Sequence, residues 1–340
     1  MLERSLRNRY SRQAMFPGIG EDGQARLLRG KVVIIGCGAL GCSSAVFLAR
    51  AGVGSLVIID RDFIEIHNLQ RQVLFDEEDI KAGLPKAVAA ERRLRKVNST
   101  ITVTGIIADV NYTNIEDFCR GADVILDGLD NAETRYLIND TALKHGIPWV
   151  YGGAIASSGM TMTVIPCISP ASPVPELALT CETAGVVGAA PAVIGALQAA
   201  EAMKIIIGKD EPARGLLCID VWDQSFQRLD VSSRPACPAC NGRYDYLEKA
   251  FTEKVTSLCG QSRAVQVLDT RIKSVSLDDL AGRLDSRVKI INRTDYMLVL
   301  RAGEFEISVF RDGRAIIKGT TDEKEARALF DRYVRKNALT

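Results

Sequence analysis

The chain has 340 residues, 47% apolar and 25% charged, which is enough for one large core and a smaller second one. Its 43 Lys and Arg against 42 Asp and Glu leave a formal net charge of +1, so no global field favours nucleic acid or an anionic membrane. Residues 1–12 are charged and lack the apolar core of a secretory signal, so the nine cysteines argue for a reducing cytoplasm rather than disulfide stapling.

Residues 1–30 read as an N-terminal arm and short helix. From residue 31, strands at 32–35, 55–59, 101–107, 122–127 and 147–151 alternate with helices at 40–50, 86–97, 114–120 and 132–144. β-Branched strands separated by helical patterns predict an α/β fold: a doubly wound, Rossmann-like, mostly parallel sheet. After Tyr151-Gly152-Gly153 the character changes, and the alternation over 160–165 predicts a strand added antiparallel. Prolines 166, 170, 173 and 175 make the segment between them an exposed crossover loop. The apolar run 184–207 is broken by Gln198, Glu201 and Lys204, so it predicts a buried helix near 189–208 rather than a membrane span. Strands near 215–219 and 226–231 follow, and Cys237-Pro238-Ala239-Cys240 closes a first large domain spanning 31–250. Residues 251–340 read as a separate small α+β domain, with strands at 265–268, 288–291, 297–301, 304–310 and 315–318. A hairpin turn at 311–314 and a capped final helix at 322–335 complete it.

The chemistry concentrates between residues 36 and 131. Gly36-Cys37-Gly38-Ala39-Leu40-Gly41 follows the first strand; Gly36, Gly38, Ala39 and Gly41 let the chain turn tightly and aim helix-start N–H groups at an anion. Asp60, about twenty residues on and ending the second strand, suits ribose hydroxyls. By themselves these features mark only a nucleotide and favour NAD or FAD, as in an oxidoreductase. Asn68, Arg71 and Gln72, with Lys86 opening the next helix, shift the balance, because two cations around a triphosphate stabilise departing pyrophosphate. No GxxxxGK[ST] loop is present, which excludes a P-loop enzyme. The bland alternative pairs Arg71 with Asp76 or Glu77 and leaves Lys86 on the surface. Asp130, just beyond the fourth strand, can hold Mg2+ near phosphates, while Asp127, Asp130 or Asn131 can instead cap the helix starting at Ala132.

The segments Arg9-Tyr10-Ser11-Arg12-Gln13, Gly36 to Gly41, Asp60-Arg61-Asp62, Asn68-Leu69-Gln70-Arg71-Gln72, Pro85-Lys86, Asp130-Asn131 with Arg135, and Thr180-Cys181-Glu182-Thr183 occur in a diagnostic order. Over residues 9–245 the chain resembles the ThiF/MoeB/HesA adenylating enzymes that activate ubiquitin-like proteins. The likeness is to the branch serving molybdopterin synthase and thiamine biosynthesis. The resemblance implies ATP-dependent adenylation of the C-terminal glycine carboxylate of a sulfur carrier ending in Gly-Gly, with a sulfur-donor protein as a further partner. It implies Asp60 at the ribose, Asn68, Arg71 and Lys86 at the phosphates, and Asp130 at Mg2+, with Asp62, Gln72 and Asn131 completing the nucleotide set. It also implies a homodimer in which Arg12 reaches the other subunit's ATP. Arg71, Lys86, Asp130 and Cys181 form the implied catalytic set, Cys181 standing where some members form a thioester or persulfide.

The resemblance further implies a zinc site built from two C-x-x-C pairs. Cys237, Cys240 and Cys167 are the candidate ligands, but Pro170 replaces the fourth, and a closed zinc site wants four. Cys37, Cys42, Cys119 and Cys218 read as packing residues. Cys259 lies in a loop only superficially like that of a rhodanese and reads as structural. His67 reads as a loop-orienting residue and His145 as a helix end. The competing readings are adenylation of a small-molecule or peptide carboxylate, a nucleotide-dependent scaffold recruiting partners through 251–340, and the dehydrogenase.

Overall fold

The computed structural model describes residues 4–164, 184–208, 213–231, 237–248, 253–258, 264–272, 274–285 and 288–336. The chain divides into two compact units, Met1–Lys249 and Ala250–Thr340. The crossover loop, Cys167, Pro170, Cys181 and Cys259 lie outside the described residues.

The first unit opens with three short helices, α1 (Arg4–Arg9), α2 (Ser11–Ala14) and α3 (Gly20–Leu27). Its sheet then runs β1 (Lys31–Ile35), β2 (Ser55–Ile59), β3 (Thr102–Ile106), β4 (Val124–Asp127), β5 (Trp149–Ile155), β6 (Ser158–Val164), β7 (Leu216–Asp220) and β8 (Ser225–Leu229). Between strands lie α4 (Ala39–Ala51), α5 (Glu77–Lys81), α6 (Lys86–Val97), α7 (Ile115–Cys119), α8 (Ala132–His145) and α9 (Ala189–Ile207). Strand order is β3-β2-β1-β4-β5-β6-β7-β8. The first five strands pair in parallel and the last three extend the sheet antiparallel. Central strands are apolar throughout because helices cover both faces: Val32 to Ile35 and Val124 to Leu126 are buried. From β1 the chain winds outward to β2 and β3, then returns to β4 on the other side. The loops after β1 and β4 therefore sit side by side at the point where the winding reverses, where open α/β sheets bind ligands.

The apolar run is α9, long and apolar enough to span a membrane by length and composition, with half of that stretch buried inside the fold. It packs on α4, where a Cβ at Gly195 would lie 2.6 Å from that of Ser43. Gln198 on the same helix donates to the carbonyls of Asp127 (2.8 Å) and Val150 (3.1 Å), tying α9 to the sheet.

Two local expectations differ from the structure. Strand β5 continues through Gly152-Gly153 to Ile155 rather than ending at 151. Gly152 does not break the strand; a Cβ there would meet Gln198 Nε2 at 2.5 Å and Leu40 Cδ2 at 2.7 Å, so helices press too closely for a side chain. Helix α5 carries no apolar stripe to signal it and is held by Asp76, which accepts from the N–H groups of Glu78 and Asp79.

The second unit is a six-stranded antiparallel sheet ordered β11-β12-β13-β14-β10-β9. Its strands are β9 (Glu253–Leu258), β10 (Ala264–Asp269), β11 (Lys289–Arg293), β12 (Met297–Ala302), β13 (Phe305–Phe310) and β14 (Ala315–Lys318). Helices α10 (Leu277–Arg283) and α11 (Glu323–Phe330) join Val265, Leu298, Ile307 and Ile317 in one core through Leu277, Leu280 and Phe330. Strand β9 and helix α10 had no clear pattern in the sequence, one being charged and the other only seven residues long. The β13–β14 turn closes as expected, Phe310 N donating to Arg314 O at 3.0 Å with Gly313 at φ +83°. Asp322 caps α11 by accepting from Lys324 N at 2.8 Å.

Candidate active site

Three glycines bring the β1 and β4 loops into backbone contact. A Cβ at Gly36 would lie 2.7 Å from Gly128 O, and one at Gly41 or Gly128 would lie 2.0 or 2.2 Å from Gly36 O. Gly36 also needs its φ of +91°, open to glycine at little cost. Gly38 is the N-cap of α4, so the first N–H groups from Ala39 onward have no intrahelical acceptor and face the loop. Gly128, which sequence reasoning did not single out, is as necessary to this approach as Gly36, although its partner lies 92 positions away in the numbering.

Asp60 directly follows β2 and lies against this loop. Its Oδ2 accepts from Cys37 N at 2.6 Å and its Oδ1 from Asp62 N at 2.7 Å. These bonds fix the carboxylate while leaving each oxygen a second lone pair. Burial raises its pKa, and the positive charge of Lys86 pulls the other way. Lys86 is buried, not a surface decoration: its N–H donates to Asp62 O at 2.9 Å and its Nζ lies 3.2 Å from Asp62 Oδ2. Burial works against its charge, but Asp62 and then Asp60 outweigh that and hold the ammonium above its ordinary value.

The segment after the 3-10 turn Ile66–Asn68 supplies the remaining polar groups. Buried Asn68 accepts from Glu65 N at 2.9 Å, which turns its amide inward. Arg71 donates from Nη1 to His67 O at 2.9 Å. The alternative pairing with Asp76 or Glu77 is not formed, because Asp76 is bound by Arg93. Gln72 is buried, and its Oε1 has no hydrogen-bond partner among the described residues. His67 is exposed beside Glu65, and His145 ends α8 within 2.7 Å of Glu116.

Beyond β4, fully buried Asp127 accepts from Leu129 N and from Arg135 Nε, both at 2.9 Å. Burial raises the pKa of Asp127, opposed by the adjacent Arg135. Arg135 also donates to Leu129 O at 2.6 Å and Gly152 O at 2.8 Å, and lies 5.0 Å from the Tyr151 ring centroid. One guanidinium thus braces the loop that presents Asp130. The sequence pattern contained Arg135 but gave no hint of this role. Asn131 takes the capping part, accepting from Thr134 N at 3.0 Å. Asp130 is exposed and has no hydrogen-bond or ion-pair partner among the described residues, so its carboxylate is available to a cation.

Arg12 lies exposed on α2, its Nη1 3.9 Å from Met15 Sδ. Buried Cys37 and Cys42 approach to 3.8 Å between sulfurs; that contact and burial push the Cys37 thiol well up. Burial pushes Cys119 up to about 12. Cys218 sits partly buried in β7. Cys237 is buried before the turn Ala239–Asn241 and Cys240 is exposed within it, and Asn241 Nδ2 donates to Cys237 O at 2.7 Å. Among the described residues no group of three or more His, Cys, Asp or Glu side chains could hold a metal. Two thiols are half a tetrahedral zinc site, so the described residues do not by themselves fit zinc.

The chain is 39% identical over 338 residues to the sulfur carrier protein ThiS adenylyltransferase of Bacillus subtilis, covering 97% of this chain and 100% of that one. It is 38% identical over 255 residues to the SAMP-activating enzyme E1 of Haloferax volcanii, covering 73% and 94%. Its fold is similar to that of the microcin biosynthetic enzyme MccB in complex with N-formylated MccA, with a TM-score of 0.60 and 27% identity over 70% of this chain and 77% of that one. The ThiF family model matches residues 10–239, a span holding both switch-point loops and every charged group around them, and the chain belongs to the ThiF family.

Proposed function

We propose that the chain activates the C-terminal carboxylate of a ubiquitin-like sulfur carrier by adenylation. The observation that carries this reading is buried Lys86, held at 3.2 Å by Asp62 beside Asp60 and the glycine loop. Hydride transfer has no use for a buried cation there, whereas a triphosphate does. The carrier as acceptor follows from similarity to a ThiS adenylyltransferase along nearly the whole chain.

In this reading a carboxylate oxygen of the carrier's terminal glycine attacks the α-phosphorus of ATP. The bond from that phosphorus to the bridging oxygen breaks, and pyrophosphate leaves with both electrons of the bond. Asp60 accepts from the ribose hydroxyls, and the α4 N-terminus, Asn68 and Gln72 orient the phosphates. Arg71 and Lys86 oppose the charge that builds on the leaving group. Asp130 would hold Mg2+, which shields the phosphate charges when bound. No general base is required, because the attacking carboxylate is already ionised at neutral pH; positioning and charge neutralisation account for catalysis. The same reading makes the chain a homodimer in which Arg12 serves the neighbouring site. Exposed Met15 and Phe16 beside Arg12 support a covered surface there. The close free thiols Cys37 and Cys42 suit the reducing cytoplasm.

Carrier-dependent ATP–pyrophosphate exchange tests the proposal. Carriers ending in Gly-Gly should support exchange, and Arg71→Ala or Asp130→Ala should reduce it by at least ~100-fold. Absence of exchange across a panel of such carriers refutes the assignment. The likeness to MccB favours one second reading, a peptide carboxylate as acceptor; exchange supported by short peptides but by no folded carrier selects it.

A further inference from the structure

Gly188 stands between two segments that the reaction has so far kept apart. On one side, residues 184–188 are fastened to the β5–β6 turn: Ala156 N donates to Gly185 O at 2.9 Å, and Val187 N donates to Ala156 O at 2.8 Å. Ala156 and Val186 thereby form an isolated parallel bridge. Ala156 holds a φ of +52° to make it, a conformation that costs an alanine about 1 kcal/mol. On the other side, Gly188 lies against the loop bearing Arg71. A Cβ at Gly188 would be 2.8 Å from Gln70 O, 3.5 Å from Arg71 Cα and 3.6 Å from Arg71 Cβ.

The backbone of Gly188 does not itself require glycine. As N-cap of α9 it has φ −56° and ψ −24°, which alanine adopts freely. Only the closeness of the Gln70 carbonyl excludes a side chain. We infer that Gly188 is a positioning residue for ATP binding: its missing Cβ lets the Gln70–Arg71 backbone seat against the start of α9, and this sets where the Arg71 guanidinium reaches. The strap anchored at Ala156 supplies the fixed surface, and α9, tied to the sheet through Gln198, backs it. This inference rests on the adenylation reading, in which Arg71 contacts the ATP phosphates.

Gly188→Ala is a directed perturbation. Ordinary contact begins at 3.4 Å, so the new methyl displaces the Gln70–Arg71 backbone by several tenths of an ångström. A 1 Å misplacement costs on the order of 100-fold, so a loss of about tenfold is expected in ATP affinity and in kcat/KM for ATP. The experiment measures ATP affinity by calorimetry, carrier-dependent exchange and Tm for wild type, Gly188→Ala, Arg71→Ala and the double variant. If Gly188 acts through Arg71, Gly188→Ala weakens ATP about tenfold, with a lower Tm from the crowded Gln70 carbonyl, and the double variant binds ATP no worse than Arg71→Ala alone. Wild-type ATP affinity in Gly188→Ala overturns the inference, as does a penalty that multiplies fully in the double variant. Wild-type protein that binds ATP but exchanges with no carrier refutes the adenylation reading instead, and the binding cycle still decides the coupling.

Discussion

Replacing Lys86 with methionine keeps an unbranched side chain one atom shorter and removes its charge, leaving Asp60 and Asp62 without their shared cation. Removing one partner of a fully buried ion pair costs ~3–5 kcal/mol. Here the Lys86 side chain is 8% exposed but that of Asp62 is 52% exposed, so water recovers much of the loss on the Asp62 side. About 2 kcal/mol is therefore expected at neutral pH. The pH dependence carries more information. Burial already holds the Asp60 carboxyl above its ordinary value, and Lys86 is what restrains it. A carboxyl whose folded value exceeds its unfolded value contributes stability that is fully present below the unfolded value and is lost as pH rises through the folded one. Lys86→Met moves the folded value further up, so the window of loss extends to higher pH. The deficit relative to wild type should be smallest below the ordinary carboxyl value and grow as pH rises through the raised folded value.

Both tryptophans, Trp149 and Trp222, lie in the first unit, and Trp149 is 1% exposed, so intrinsic fluorescence during urea unfolding follows that unit. A deficit under ~0.5 kcal/mol, or one that grows as pH falls, refutes the reasoning about this cluster.

Three further outcomes follow from the geometry. Arg135→Leu strands fully buried Asp127 and frees two carbonyls, so thermal unfolding should show a loss of about 3 kcal/mol; a loss below ~1 kcal/mol contradicts the bracing role. Ala156→Gly relieves a positive φ and should raise the Tm of the first unit by ~2–4 °C; a lower Tm counts against strain at that turn. Under iodoacetamide at about pH 8, mass spectrometry of native protein should find Cys240 modified and Cys37, Cys42 and Cys119 intact, because all three are shielded by burial and Cys37 and Cys119 are also held as thiols; rapid alkylation of Cys37 refutes this argument.

What the sequence made legible were features written in local order. Helix α6 begins at Lys86 because Pro85 pre-sets the turn before it, and the β-branched run ending at Asp60 marks its own edge. What stayed hidden depends on partners far along the chain. Gly152 looks like a strand breaker until Gln198 and Leu40 are seen pressing on it. Gly128 looks like an ordinary turn glycine until Gly36 is its neighbour, and Gly188 looks like a helix-start residue until Gln70 is. Arg135 shows only as a charge on a helix, because the carbonyls it binds come from two other segments. Local pattern therefore located the charged residues but not the packing that aims them.

That division has a physical basis. A phosphate site needs N–H groups and cations within hydrogen-bond reach, so the backbone itself must come close to the ligand and to neighbouring backbone. Each Cβ at Gly36, Gly41 or Gly128 would hold two loops apart, whereas the charges of Asp60, Lys86, Asp62 and Arg71 tolerate only short displacement. The charged cluster is also a poor way to gain stability, since an apolar set of similar volume commonly packs as well or better than a buried ion pair. Its arrangement makes sense as preorganisation: Asp62 holds Lys86 ready, Asp60 is fixed by the N–H groups of Cys37 and Asp62, and Arg135 fixes the loop before Asp130. Triphosphate charge then meets dipoles and cations that need little reorganisation, which is where such a site gains its advantage over water. Gly188 extends the same logic to Arg71, a cation that no carboxylate among the described residues holds in place.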